Sequence, residues 1–144
     1  MKKFFAVVVA VAACLTSCSG KPYMGTFNEL PESAKTFIVT YYNESDISFI
    51  KVEKEGLHNE YDVVLNNGVE ITFDYKGNLE EIDCKQQAVP DGIVPEVIVN
   101  YVSTHFANAF IVKYKIERWG KEVKLNNYVE LKFDQQGNFL GIDD

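Results

Sequence analysis

Cysteine is scarce in this chain: three residues in 144, two of which, Cys14 and Cys18, fall near the start. Cys84 is left without a second cysteine nearby. No disulfide framework is available, so stability must come from packing. There are only two histidines, His58 and His105, and neither stands at an interpretable spacing from a Ser or Cys nucleophile. Basic side chains are outnumbered, 14 Lys and Arg against 21 Asp and Glu, for a formal charge of −7. That balance argues against nucleic acid and against anionic lipid as a docking surface, since both require a basic patch. Long hydrophobic runs are also missing. The apolar run Phe4 to Ala13 has ten residues, and crossing a bilayer as a helix takes about twenty. Apolar residues themselves are plentiful: 47% of the chain, with ten Phe, is enough for a core.

The run Phe4–Ala13 follows the basic start Met1-Lys2-Lys3 and has the proportions of a secretory h-region. Leu15-Thr16-Ser17-Cys18 comes next, a branched apolar residue and two small ones before a cysteine. This order resembles the lipobox of bacterial lipoproteins. The resemblance implies a signal peptide over 1–17, diacylglycerol on the Cys18 sulfur and cleavage before Cys18. Ser19 rather than Asp after the cysteine implies the outer membrane. The membrane would then be touched through the lipid anchor alone. Two or more acyl chains make a firm anchor, because each buried methylene contributes about 0.8 kcal/mol. Residues 18–28, with Pro22 and Gly25 and no periodicity, read as a lipidated tether.

Loss of Lys2 and Lys3 leaves 12 basic against 21 acidic residues. The acid is uneven: residues 29–88 hold 13 acidic and 5 basic side chains, residues 89–144 hold 8 and 6. An acidic first half suits either a basic partner or plain solvation.

One stretch is used twice. Asn66-Asn67-Gly68-Val69-Glu70-Ile71-Thr72-Phe73-Asp74-Tyr75-Lys76-Gly77-Asn78-Leu79 returns as Asn126-Asn127-Tyr128-Val129-Glu130-Leu131-Lys132-Phe133-Asp134-Gln135-Gln136-Gly137-Asn138-Phe139. Self-similarity on this scale marks two copies of one supersecondary unit, here 29–88 and 89–144. Within a copy, Asn-Asn-Gly is a tight-hairpin signal, because Asn and Gly tolerate positive φ. Val69, Ile71, Phe73 and Tyr75 alternate with Glu70, Thr72 and Asp74, which predicts a sheet with one apolar and one wet face. Ala34, Phe37, Ile38, Tyr41 and Tyr42 fall on one stripe of a helix opened by Pro31-Glu32. Val97, Ile98, Tyr101 and Val102, continued by Phe106, do the same after Pro95-Glu96. Strands are expected over Ile47–Lys54, around Tyr61–Leu65, around Val69–Tyr75, over Leu79–Cys84 and over Ala109–Glu117, and again around Val123, Leu131 and Phe139–Ile142. The expected fold is α+β: two tandem αββββ units forming one antiparallel sheet of about eight strands, with both helices on one face.

Each candidate for chemistry has a plainer reading beside it. His105 suits a helix C-terminus, where an imidazole meets the last carbonyls, and His58 falls in a hairpin; no metal site is assigned. Asp74 and Asp134, with Gly77 and Gly137, form D-x-x-G-N turns in which the carboxylate accepts turn amides rather than the spaced oxygen ligands of a calcium loop. Glu80-Glu81 and Asp143-Asp144 are adjacent, so strand alternation sends them to opposite faces. Cys84 reads as a partly buried strand-end residue. Trp119 and Tyr128, at predicted hairpin tips, are the candidate partner-binding residues, since a Trp in water is a common interface anchor. Their plainer reading folds them back onto the helices. The wet face carries Asp62, Val64, Glu70, Thr72, Glu122, Lys124, Glu130 and Lys132, either solvated or a platform for a partner.

The pattern Leu/Val-Pro, helix, Asn-Asn-x-Val-Glu-Ile/Leu-x-Phe-Asp-x-x-Gly-Asn, Ile-Asp, twice after a lipobox, resembles the PepSY-like family of secreted bacterial proteins, whose fold is compared with that of the β-lactamase inhibitor protein. The resemblance spans nearly all of 29–144. It implies tandem αββββ units forming one sheet, outside the cytoplasm, with no established catalytic role; no cofactor is expected. Tyr128 departs from the glycine of the first turn and makes the second tip bulkier. The expectation is a non-enzymatic, envelope-anchored module that binds another envelope or secreted protein through the open face or the hairpin tips. Inhibition of a periplasmic or secreted hydrolase, such as a peptidase or β-lactamase, and small-molecule or cation binding are the alternatives.

Overall fold

The computed structural model describes residues 20–143. The expected signal peptide, the expected lipidation site Cys18 and Asp144 lie outside them. Nine strands form one antiparallel sheet in which each strand lies beside its neighbours in sequence. In chain order they are β1 (Tyr23–Gly25), β2 (Ile47–Glu55), β3 (His58–Leu65), β4 (Glu70–Phe73), β5 (Leu79–Asp83), β6 (Ile111–Ile116), β7 (Gly120–Leu125), β8 (Glu130–Asp134) and β9 (Phe139–Asp143). Helix α1 (Glu32–Tyr41) precedes β2, and α2 (Glu96–His105) precedes β6. The fold is therefore α+β, with an open antiparallel sheet.

The sheet has nine strands instead of about eight because part of the expected tether is β1. Tyr23 pairs with Val52, Met24 with Lys51 and Gly25 with Ile50. Three residues are too few to display alternation, which hides the strand in the sequence. Gly25 is required here, since a Cβ would stand 2.7 Å from a Val52 methyl. A single 3-10 turn, Phe27–Glu29, then carries the chain into α1, and Phe27 packs on the core.

Both helices bury one stripe on the same face of the sheet, Ala34 and Ile38 from α1 and Ile98 and Val102 from α2. These join Val63, Ile71, Phe73, Ile82, Val123, Leu131 and Phe133 in one core cluster. Phe37 meets Phe73 edge-on at 5.4 Å, and Tyr101 meets Phe133 edge-on at 5.5 Å. Phe73 and Phe133 are fully buried, and each such ring contributes about 1.5–3 kcal/mol. Cys84 is fully rather than partly buried, with its sulfur 3.8 Å from the Tyr42 hydroxyl. Burial pushes its thiol up from the ordinary range.

The D-x-x-G-N turns attach strands to helices. Asp74 Oδ1 accepts from the backbone N–H of Lys76 at 2.8 Å and of Asn78 at 2.9 Å. Asp134 Oδ1 accepts from Gln136 at 2.9 Å and Asn138 at 2.8 Å. Gly77 has φ +86° and sits where a Cβ would collide with the Ser33 hydroxyl and the Ala34 backbone, at the start of α1. The Ser33 hydroxyl donates to the Lys76 carbonyl at 2.7 Å. No helix among the described residues is long and apolar enough to cross a membrane.

Candidate functional site: the open sheet face and its two aromatic tips

The face away from the helices is polar because strand alternation puts every second residue there. Register places Asp62 opposite Thr72 and Val64 opposite Glu70 in the first half. In the second half Glu122 stands opposite Lys132 and Lys124 opposite Glu130. At the junction Glu81 pairs with Lys115 and Asp83 with Lys113. The face is thus acidic over β3–β5 and carries Lys113, Lys115 and Lys124 over β6–β7. Its ion pairs are short but exposed: Lys85 to Glu70 at 2.7 Å, Lys51 to Glu53 at 2.7 Å and Lys113 to Glu81 at 3.3 Å. Exposed pairs of this kind add little stability, so the pattern is better understood as a surface with a charge gradient.

Trp119 and Tyr128 bracket the second half of this face. They flank β7, whose six residues set them about 20 Å apart at the usual strand rise. The fold does not bring them together. Nor do they fold onto the helices. Lys132 lies over the Trp119 ring at 5.5 Å and Lys124 over the Tyr128 ring at 5.5 Å, and both lysines belong to the open face. Trp119 stays 45% exposed and Tyr128 67% exposed.

Tyr128 also holds an unusual backbone. Its N–H donates to the Leu125 carbonyl at 2.9 Å, and Gly68 makes the corresponding bond to Leu65 at 3.0 Å. That turn forces positive φ, +92° at Gly68 and +72° at Tyr128. Glycine takes such a conformation freely, whereas a bulky residue with a Cβ is strained there. Beside the ring is a cleft of about 180 Å³ lined by Asp83, Lys85, Gln86, Lys124 and Tyr128 among others. Gln86 donates to the Tyr128 hydroxyl at 3.4 Å.

At the other end of the face is a carboxylate group that sequence spacing did not reveal. Glu53, Glu60 and Asp62 bring carboxylate oxygens within 4.8 Å of one another. Glu80 joins them through a β-bulge: Thr72 pairs with Glu81 and Phe73 with Leu79, which leaves Glu80 as the extra residue. The expected opposite-face placement of Glu80 and Glu81 fails for that reason. Burial, a hydrogen bond to Glu80 and the charges of Asp62, Glu80 and Glu55 push the Glu60 carboxyl up to about 7. Lys51 offsets part of the charge, 2.7 Å from Glu53 and 3.2 Å from Asp62. Glu122, Glu130 and Asp143 form a second carboxylate group, with Lys132 3.5 Å from Asp143.

The histidines stay apart from both groups. His58 stacks on Tyr75 at 3.9 Å. His105 places Nδ1 3.0 Å from the Tyr101 carbonyl at the end of α2. A cavity of about 640 Å³ lies between the 88–95 linker, α2 and Phe110–Ile111. It is lined by Val89, Ile93, Val99 and Val102 with Asp91 and Glu96, and shares no residue with the tips or either carboxylate group. No periodicity in the sequence announces it, because it arises where a linker crosses a helix.

Residues 59–141 match a family described as "Putative beta-lactamase-inhibitor-like, PepSY-like". Comparison with curated proteins gave no match. Among solved structures, one described as a "putative periplasmic protein" from Bacteroides vulgatus is 37% identical, with a TM-score of 0.81 over 86% of this chain and 98% of that one. A second, from Bacteroides thetaiotaomicron and described as a "putative calcium-regulated periplasmic protein", is 36% identical, with a TM-score of 0.80 over 85% of this chain and 97% of that one. A third, from Bacteroides vulgatus and described as of unknown function, is 34% identical, with a TM-score of 0.81 over 86% of this chain and 100% of that one. With its fold and sequence in common with these proteins, the chain belongs to the PepSY-like, β-lactamase-inhibitor-like family.

Proposed function

We propose that this protein is a non-catalytic binding module, exported and held at the outer membrane through lipidated Cys18, that engages another envelope or secreted protein. Contact is made by the open sheet face, with Tyr128 and Trp119 as anchors at the two ends of β7. Tyr128 carries the reading. A large aromatic residue is kept in a left-handed turn position where the first half of the chain has glycine, and it is left mostly in solvent. Strain maintained at an exposed residue motivates a functional hypothesis, and exposed aromatics rimmed by polar groups mark interaction sites.

A photo-reactive residue at position 128, compared with one at Val39 on the exposed side of α1, tests this in the native envelope. A cross-linked partner specific to position 128, and lost when Trp119→Ala is added, is the expected result. Equal labelling from positions 128 and 39, or a partner indifferent to Trp119→Ala, would remove the reading.

A second reading is cation binding at Glu53, Glu60 and Asp62. The calcium-regulated description of one relative and the convergent carboxylates support it. Calcium takes carboxylate oxygens readily, and here it would displace the Lys51 ammonium and the Glu60 proton. Thermal unfolding with millimolar calcium, with magnesium as control, decides it. A calcium-specific rise in Tm that Glu60→Gln removes would support the site; no shift would dismiss it.

A further inference from the structure

Strands β5 and β9 stand in the same relation to the strand before them. Ile82 pairs with Ile71 and Asp83 with Glu70; Ile142 pairs with Leu131 and Asp143 with Glu130. Both pairs carry the same bulge, after Thr72 and after Lys132. The other sides of the two strands differ. β5 is covered by β6, which sets Tyr114 opposite Ile82 and Lys113 opposite Asp83. Ile82 is consequently 0% exposed, while Ile142, in the same position on β9, is 58% exposed. Phe139 and Leu140 on that strand are also exposed.

Among the described residues no strand lies along the outer side of β9. Exposed edges are commonly blunted by lysine, proline or an inward-pointing charge. β9 has none of these in its middle, where Gly141 stands opposite Lys132 and a Cβ would meet nothing within 4 Å. The local charge is unbalanced as well. Three carboxylates (Glu122, Glu130 and Asp143) converge there, and among the described residues Lys132 is the one basic residue within ion-pair distance of them, 3.5 Å from Asp143.

We propose that the outer edge of β9 receives an extended strand from another polypeptide, paired antiparallel. That strand sets a bulky apolar residue opposite Ile142 and a Lys or Arg opposite Asp143. The junction between β5 and β6 is the template: the same Ile-Asp dipeptide already takes an apolar and a basic residue in this register. Main-chain hydrogen bonds supply affinity and the alternate side chains supply selectivity, as in β-strand addition generally. The main-chain pairing runs along the strand edge and uses neither Trp119 nor Tyr128, so the proposal does not depend on the aromatic tips.

A fluorescent peptide with the sequence of residues 109–118 tests the assignment against the intact protein, by anisotropy and by amide hydrogen exchange. Saturable binding is expected, weaker at 0.5 M salt than at low salt, with new protection at Gly141 and Ile142. Ile142→Lys and Asp143→Lys should each weaken binding about tenfold, as should Lys113→Glu within the peptide. Unchanged thermal melts would show that the two surface variants still fold. Absence of binding, binding indifferent to both variants, or protection appearing on β1 and β2 would overturn the proposal. Self-association abolished by Ile142→Lys, without peptide binding, would give the edge to a second copy and equally overturn it.

Discussion

The Glu60 carboxyl hydrogen-bonds to that of Glu80, although the two residues lie on strands separated by β4. The bulge that makes Glu80 an extra residue permits the contact. Glu60 therefore holds its proton to about pH 7, well above the unfolded value near 4.5. A folded-state pKa raised in this way gives stability that is complete below the unfolded value and is lost as pH rises through the folded one. Between about pH 4.5 and 7 Glu60 should make Tm fall with rising pH. Glu60→Gln should flatten that slope and leave the variant the more stable at pH 8, as melts across the range would show.

Asp74 and Asp134 carry the opposite dependence. Burial raises the Asp74 carboxyl, but the Asn78 and Lys76 amides outweigh it and hold it below the usual range; at Asp134 the Asn138 amide is the leading cause. Groups lowered in this way stabilise above the unfolded pKa and cease to as pH falls through the folded one. Asp74→Ala should destabilise at pH 7 by about 1 kcal/mol or more, and the difference should shrink below about pH 3.8. A constant difference down to pH 2 would show that the turn amides contribute little.

Gly77 and Gly56 separate backbone strain from crowding. Both have positive φ, but a Cβ at Gly56 meets nothing within 4 Å, while one at Gly77 collides with the start of α1. Gly56→Ala should cost about 1 kcal/mol, the backbone cost alone. Gly77→Ala should cost clearly more, since α1 must shift. Denaturant melts of the two variants give the comparison, and equal costs would mean that the helix yields freely.

Tyr128→Gly removes the strain and the ring together. The variant should be more stable by about 1 kcal/mol, a rise of a few degrees in Tm for a domain of this size. Loss of the cross-linked partner in the same variant would separate binding from folding, because the protein would bind worse while folding better.

The thiol of Cys84 should resist a disulfide reagent in the folded protein and react at the rate of global opening. It is fully buried, and burial raises its pKa, which leaves little thiolate. Reaction as fast as that of a free thiol would mean that the junction beneath the 85–92 segment opens locally.

Much of the architecture was legible because it rests on short-range rules. The alternation of Val69, Ile71 and Phe73, and of Val129, Leu131 and Phe133, names the buried face directly. Asp74 and Asp134 could be assigned as turn acceptors because the ligands of that turn lie within four residues of the aspartate. Features created by contact between distant segments were not legible. β1 is recognisable only through its register with β2. The meeting of Glu60 and Glu80 requires a bulge, and a bulge breaks the alternation from which faces are inferred. The direction taken by Trp119 and Tyr128 depended on Lys132 and Lys124, each on the strand next to the tip or on its flank.

The sheet order runs from β1 to β9 without a crossover. Every strand can therefore dock on one already in place; six of the eight connections are turns of two to five residues, which cost little entropy to close, and the other two carry the helices. Such a chain need not be present in full before it begins to order itself. Delivered from its N-terminus, it can fold by accretion at one growing margin, with each helix arriving before the strands it will cover.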